Sequence, residues 1–175
     1  MLGRRDALVG IAWALTTPLA CGGKLGGGAQ APESGELVGA QAPEFSLAGP
    51  GGGEAIGPAA FRGKVLIVDF WATWCKPCRE SFPVYQRLVD KFDGKLAVIG
   101  VSVDDDDQGI LAFREQTGVK FPLVWDQGQA AASVYKPATM PTSFLIDRDG
   151  LVKFVHAGFH AGDEAEIERQ VQSLV

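Results

Sequence analysis

The sequence is poor in the residues that build several common kinds of protein. It has 3 cysteines and 2 histidines in 175 residues. Three cysteines are too few for a disulfide-dense scaffold and an odd number for simple pairing. Lys and Arg (16) are outnumbered by Asp and Glu (21), the formal net charge is −5, and no Lys/Arg cluster occurs. That balance argues against nucleic acid as the partner. No segment past the N-terminus reaches 18 apolar residues in a row, so no internal membrane span is predicted. No internal repeat is visible.

What is present fits a folded protein of about one domain, with 46% hydrophobic and 21% charged residues. The 23 glycines are unevenly placed: fifteen fall in residues 1–63. The compact part is therefore expected in the later two thirds, behind a flexible approach.

The N-terminus reads as an address. Arg4 and Arg5 open a charged region, and Ala7 to Ala20 is almost wholly apolar or small. Fourteen residues rise only about 21 Å as a helix, short of the roughly 30 Å hydrocarbon core. This is the pattern of a secretory signal over residues 1–21. Leu19-Ala20-Cys21-Gly22 resembles the end of a bacterial lipoprotein signal, which implies lipidation at Cys21 and anchoring to a membrane. Ordinary cleavage near Ala20 or Gly22 is the alternative. Arg4-Arg5 also resembles the twin-arginine export signal. Residues 22–41 are Gly, Ala, Glu, Pro and Gln with few large apolar residues, and read as a tether.

Residues 42–175 carry the pattern of an α/β domain. Ala42 to Leu47 is a short extended piece. Val65 to Trp71 is a continuous apolar run of strand length, expected at the centre of a sheet covered on both faces. Ser81 to Phe92 has a helical apolar stripe at Phe82, Tyr85, Leu88, Val89 and Phe92. Leu96 to Val103 and Phe121 to Trp125 read as strands. Ile110 to Gly118 and Ala130 to Tyr135 read as helices. Thr142 to Ile146 and Leu151 to Val155 flank Asp147-Arg148-Asp149-Gly150, a hairpin signal. Asp163 to Leu174 closes the chain as a helix with acids in its first turn. A mixed sheet with helices on both faces follows.

Trp74-Cys75-Lys76-Pro77-Cys78 lies just past the central strand and opens the first helix. A cysteine at a helix N-terminus sits beside unpaired N–H groups and the positive end of the dipole. Both favour the thiolate, which is the attacking species. Cys75 is therefore expected to be exposed, with a lowered pKa, and Cys78 lies one turn inward as the resolving thiol. Pro77 suits the first helical turn, where its missing N–H costs nothing. Lys76 is expected in solvent, tuning the local field.

Val68-Asp69-Phe70-Trp71-Ala72-Thr73-Trp74-Cys75-Lys76-Pro77-Cys78 closely resembles the active-site strand and turn of thioredoxins. The surroundings resemble the exported TlpA/ResA-type branch: Ala42-Pro43-Glu44-Phe45, Phe61-Arg62-Gly63-Lys64, the inserted segment 104–135, and Pro141-Thr142-Ser143-Phe144. The resemblance covers about residues 40–175. It implies a thioredoxin-like three-layer fold with a mixed central sheet and an N-terminal β extension. It implies a thiol-disulfide oxidoreductase whose only redox group is the Cys75–Cys78 pair, without cofactor or metal. Met140-Pro141-Thr142 matches the family's cis-proline loop, which offers backbone groups to a substrate chain. Trp71 and Trp74 would border the site.

Asp69 matches thioredoxin's buried acid below the resolving cysteine and would accept the Cys78 proton. The exported branch often has an acid after the next strand, and Asp105 is the nearest match. The implied partners are protein dithiols and disulfides, with apocytochrome c cysteines among the branch's substrates, and a membrane electron donor. The implied place is the periplasmic face of a bacterial membrane, as a monomer.

Other chemistries fit less well. A zinc site needs about four ligands, and beyond the CxxC only Cys21, His156 and His160 remain. A thiol peroxidase of the peroxiredoxin kind needs a Pro-x-x-x-Thr-x-x-Cys setting, and the Pro is missing. Copper-delivery relatives carry CxxxC, one residue longer; a redox-inert module would use neither thiol.

Overall fold

The computed structural model describes residues 34–175. The signal, Cys21 and the first part of the expected tether lie outside the described residues. Five strands form one sheet in the order β3-β2-β1-β4-β5. They are β1 (Val65–Trp71), β2 (Leu96–Ser102), β3 (Leu123–Trp125), β4 (Thr142–Ile146) and β5 (Val152–Ala157). β1, β2 and β3 run parallel, while β4 and β5 are antiparallel to their neighbours. The helices are α1 (Lys76–Lys91), α2 (Ile110–Thr117), α3 (Ala130–Tyr135) and α4 (Asp163–Leu174).

All seven residues of β1 are buried. Alternate side chains of a strand point to opposite faces, and the core divides accordingly. Val65, Ile67 and Trp71 join Phe82, Tyr85 and Leu88 of α1, Ile110 and Phe113 of α2, and Ile167 and Val171 of α4. Leu66, Val68 and Phe70 join Phe144 and Ile146 of β4, Ala131 and Tyr135 of α3, and Leu37 and Ala42 from the N-terminal segment. This is the three-layer α/β fold, and it sets the cysteine turn at the carboxyl end of the central strand.

Two glycines let the layers close. A Cβ at Gly100 in β2 would come within 2.7 Å of Leu123 and 3.1 Å of the Trp71 indole nitrogen. Glycine there makes room for the largest side chain of the core. A Cβ at Gly109, before α2, would meet Thr73 at 2.9 Å, so the start of α2 can pack on the cysteine turn.

The N-terminal part differs from expectation in two ways. The extended piece near residues 42–47 pairs only through single bridges, Gln41 with Leu151 and Leu47 with Ile56, and adds no strand to the sheet. Residues 34–41, expected in the tether, fold onto the domain. Ser34–Leu37 forms a 3₁₀ turn, the Gly39 N–H donates to the Val152 carbonyl, and Leu37 is buried. Leu37, these backbone bonds and the Arg62 guanidinium on Gln41 Oε1 hold a segment that composition alone marks as flexible. Tyr135 pins the next stretch: its hydroxyl donates to the Pro43 carbonyl at 2.8 Å and its ring meets Phe45 edge-on.

Leu37→Ala is expected to destabilise the domain by about 2–4 kcal/mol. Chemical denaturation of wild type and variant checks this; a change below about 0.5 kcal/mol would mean the segment is not docked in solution.

Candidate active site

The turn after β1 brings the two cysteines to the start of α1, where they form a disulfide with Cα atoms 5.4 Å apart. Cys75 is the N-cap of α1, and its Sγ accepts the Cys78 N–H at 3.2 Å. A thiolate at that atom would keep this donor and gain from the helix dipole. Pro77 occupies the first turn, and Lys76 points into solvent.

Thr73 holds the turn. Its N–H lies 3.1 and 3.0 Å from the two carboxylate oxygens of Asp104, and its hydroxyl donates to Asp104 Oδ1 at 2.9 Å. Ser102 Oγ donates to Asp104 Oδ2 at 2.8 Å. On the other side Arg79 donates to the Thr73 carbonyl at 2.9 Å, and its guanidinium lies 4.9 Å above the Phe113 ring. Arg79 also bonds Gln116 in α2. Every polar group of Thr73 is therefore engaged.

Asp69 lies on the β1 face that α1 covers and is fully buried. Its Oδ1 accepts from the Tyr85 hydroxyl at 3.3 Å, while Oδ2 has no partner. Burial holds its carboxyl well above the ordinary range, and the Tyr85 bond offsets only part of this. The Tyr85 phenol is also raised, by burial first and by Asp69 second.

The register sets the proline loop at the same end of the sheet. Thr142, the first residue of β4, pairs with Phe70, next to the last residue of β1. The Met140–Pro141 bond is cis. The Pro141 carbonyl accepts from the Gly158 N–H at 2.7 Å, and Thr142 Oγ1 donates to the Thr139 carbonyl at 2.7 Å. Met140 is half-buried against the core cluster that contains both cysteines.

Three expectations need correction. Cys75 is 3% exposed in the disulfide form, because its sulfur turns inward to Cys78 and its N–H; beside it Trp74 is 71% exposed. Trp71 is fully buried, with its ring tilted against Phe113 and edge-on to Phe82, so it is core rather than substrate surface. Asp105 is exposed, and the acid that reaches the turn is Asp104. Four acids in a row hid which one points inward. Tyr85, Ser143 and Arg79 also belong to the site. A polar side chain in an otherwise apolar stripe was the available signal for Tyr85; the strand register, which no motif shows, places Ser143.

Fold and site together define a thioredoxin-like thiol-disulfide redox protein. Residues 38–155 match the AhpC/TSA family, and the chain belongs to it. It is 37% identical over 116 residues to the thiol-disulfide oxidoreductase ResA of Bacillus thuringiensis (strain Al Hakam), an alignment spanning 66% of each chain, just under two thirds of that relative. It is 34% identical over 137 residues to the thioredoxin-like protein YneN of Bacillus subtilis (strain 168), covering 77% of this chain and 79% of that one. Among solved structures it is similar to a thiol:disulfide interchange protein DsbE of Chlorobium tepidum, with a TM-score of 0.73, 34% identity, and coverage of 78% and 96%.

The Asp69 carboxyl binds its proton more tightly in the folded than in the unfolded chain. Its contribution to stability is therefore full below about pH 4 and is lost as pH rises through the native pKa. Asp69→Asn should remove that slope. Between pH 4 and pH 9 the difference in unfolding free energy should move by about 1–3 kcal/mol in the variant's favour. Denaturant titrations of the oxidised proteins across that range check the sign.

Proposed function

We propose that this chain is an exported thiol-disulfide oxidoreductase that reduces protein disulfides. The observation that carries the reading is the cysteine pair at the N-cap of α1, with Cys75 Sγ already facing the Cys78 N–H. The Cys75 thiolate attacks one sulfur of a substrate disulfide; that bond breaks, and the other substrate sulfur leaves as a thiolate. Cys78 then gives its proton to Asp69 and attacks Cys75 Sγ. The mixed disulfide breaks, the second substrate sulfur leaves with the electron pair, and the Cys75–Cys78 disulfide forms. Two electrons have passed from the protein to the substrate, and a dithiol donor must return them.

Three features support Asp69 as the proton acceptor. It is buried in the layer that holds Cys78, burial raises its proton affinity, and one oxygen is left without a partner. Substrate binding uses the exposed Trp74 and the backbone of Met140 before the cis-proline. The relatives named ResA and DsbE support a place outside the cytoplasm. The sequence around Cys21 supports a lipid anchor on the periplasmic face of a bacterial membrane, near a membrane electron donor. Cysteines of apocytochrome c are the substrate class we favour.

Cys75→Ser should abolish insulin-disulfide reduction. Cys78→Ser should keep the first attack and accumulate mixed disulfides on Cys75, seen as thiol-sensitive bands on non-reducing gels. Full reductase activity in Cys75→Ser would overturn the mechanism.

A further inference from the structure

The Asp69 carboxyl belongs to a small buried polar chain. The Tyr85 hydroxyl lies 3.3 Å from Asp69 Oδ1 and 3.1 Å from Ser143 Oγ. Ser143 stands directly opposite Asp69 in the β1–β4 register. All three side chains are buried, and they come from three elements: β1, α1 and β4. Ser81, one turn before Tyr85, is buried as well and donates to the Cys78 carbonyl.

A phenol has one proton to donate. While Asp69 is neutral, that proton can turn to Ser143. Once Asp69 is ionised, it must turn to Oδ1, and the Ser143 hydroxyl can then donate to the phenol oxygen. Two hydroxyls in series would thus align on the charged carboxylate, and each polarises the next. Their alignment favours the ionised form, against the burial that disfavours it.

Few other groups act on this carboxyl. From α1 the titratable groups are Tyr85 and, after reduction, the cysteine pair in the same layer. β4 supplies Ser143, which is neutral, and the residue paired with Asp69 in β2 is Gly100, which has no side chain.

We propose that Tyr85 is a positioning residue for the redox reaction. With Ser143 behind it, its hydroxyl engages Oδ1, leaves Oδ2 as the oxygen open to the Cys78 proton, and sets the pH at which Asp69 can take that proton. This rests on Asp69 being the acceptor. The step it governs is the second one: the S–H bond of Cys78 breaks, the proton goes to Oδ2, the Cys75–Cys78 bond forms, and the substrate sulfur leaves with the electron pair.

The test uses the full chain as wild type, Tyr85→Phe and Ser143→Ala. Tyr85→Phe keeps the ring that packs edge-on to Phe159; Ser143→Ala perturbs the chain from the strand side. Two quantities are read between pH 5 and 10. One is the titration midpoint of the Asp69 carboxyl in the reduced protein, by carbon NMR. The other is the rate of substrate release from a preformed mixed disulfide with a model peptide. In Tyr85→Phe both midpoints should rise by about one pH unit. The release rate below the midpoint should fall about tenfold, with the alkaline plateau kept. Ser143→Ala should move both the same way by less.

A carboxyl midpoint unchanged in Tyr85→Phe would overturn the role given to Tyr85. A carboxyl midpoint that rises while the release profile stays put would show that Asp69 does not take the Cys78 proton. That result would overturn the reading beneath, and with it any part for Tyr85 in the reaction.

Discussion

β1 is apolar on both faces and paired along both edges. A strand in that position can be stable only if each face is covered. The two core clusters, the placement of α1, α2 and α4 on one side and α3 on the other, and the docking of residues 34–47 all answer that requirement. The reactive cysteines follow from it. They follow the carboxyl end of this strand, at the start of α1. The chemistry is thus mounted beside a strand held along both edges and covered on both faces.

One residue breaks the apolar pattern of β1. Asp69 puts a carboxyl into the layer shared with Phe82, Tyr85 and Trp71. An apolar residue would pack there without penalty, whereas a half-satisfied carboxyl costs stability. Such a cost is common where a structure serves a reaction rather than its own persistence. The neighbouring polar groups limit that cost at one oxygen and leave it in place at the other.

Much of this was legible in the sequence, for physical reasons. Long apolar runs and helical stripes are local signals, so β1, α3, β4 and α4 match their expected bounds. The cysteine turn is a motif with its own local geometry. What could not be read depended on distant contacts. The docking of Leu37 needs β5, the burial of Trp71 needs Gly100 and Phe113, and the choice of Asp104 over Asp105 needs the path of the chain after β2. Exposure of Cys75 was inferred from its place at a helix start. In the disulfide its sulfur faces inward to Cys78.

The bonds made by Thr73 also bear on the entropy of encounter. A loop that samples many conformations must be ordered each time a partner arrives, and that ordering weakens every association. Here the amide, hydroxyl and carbonyl of the residue two before the cysteine are all engaged before anything binds. The loss of freedom occurs once, when the chain folds. Each later collision meets a turn whose backbone is already set.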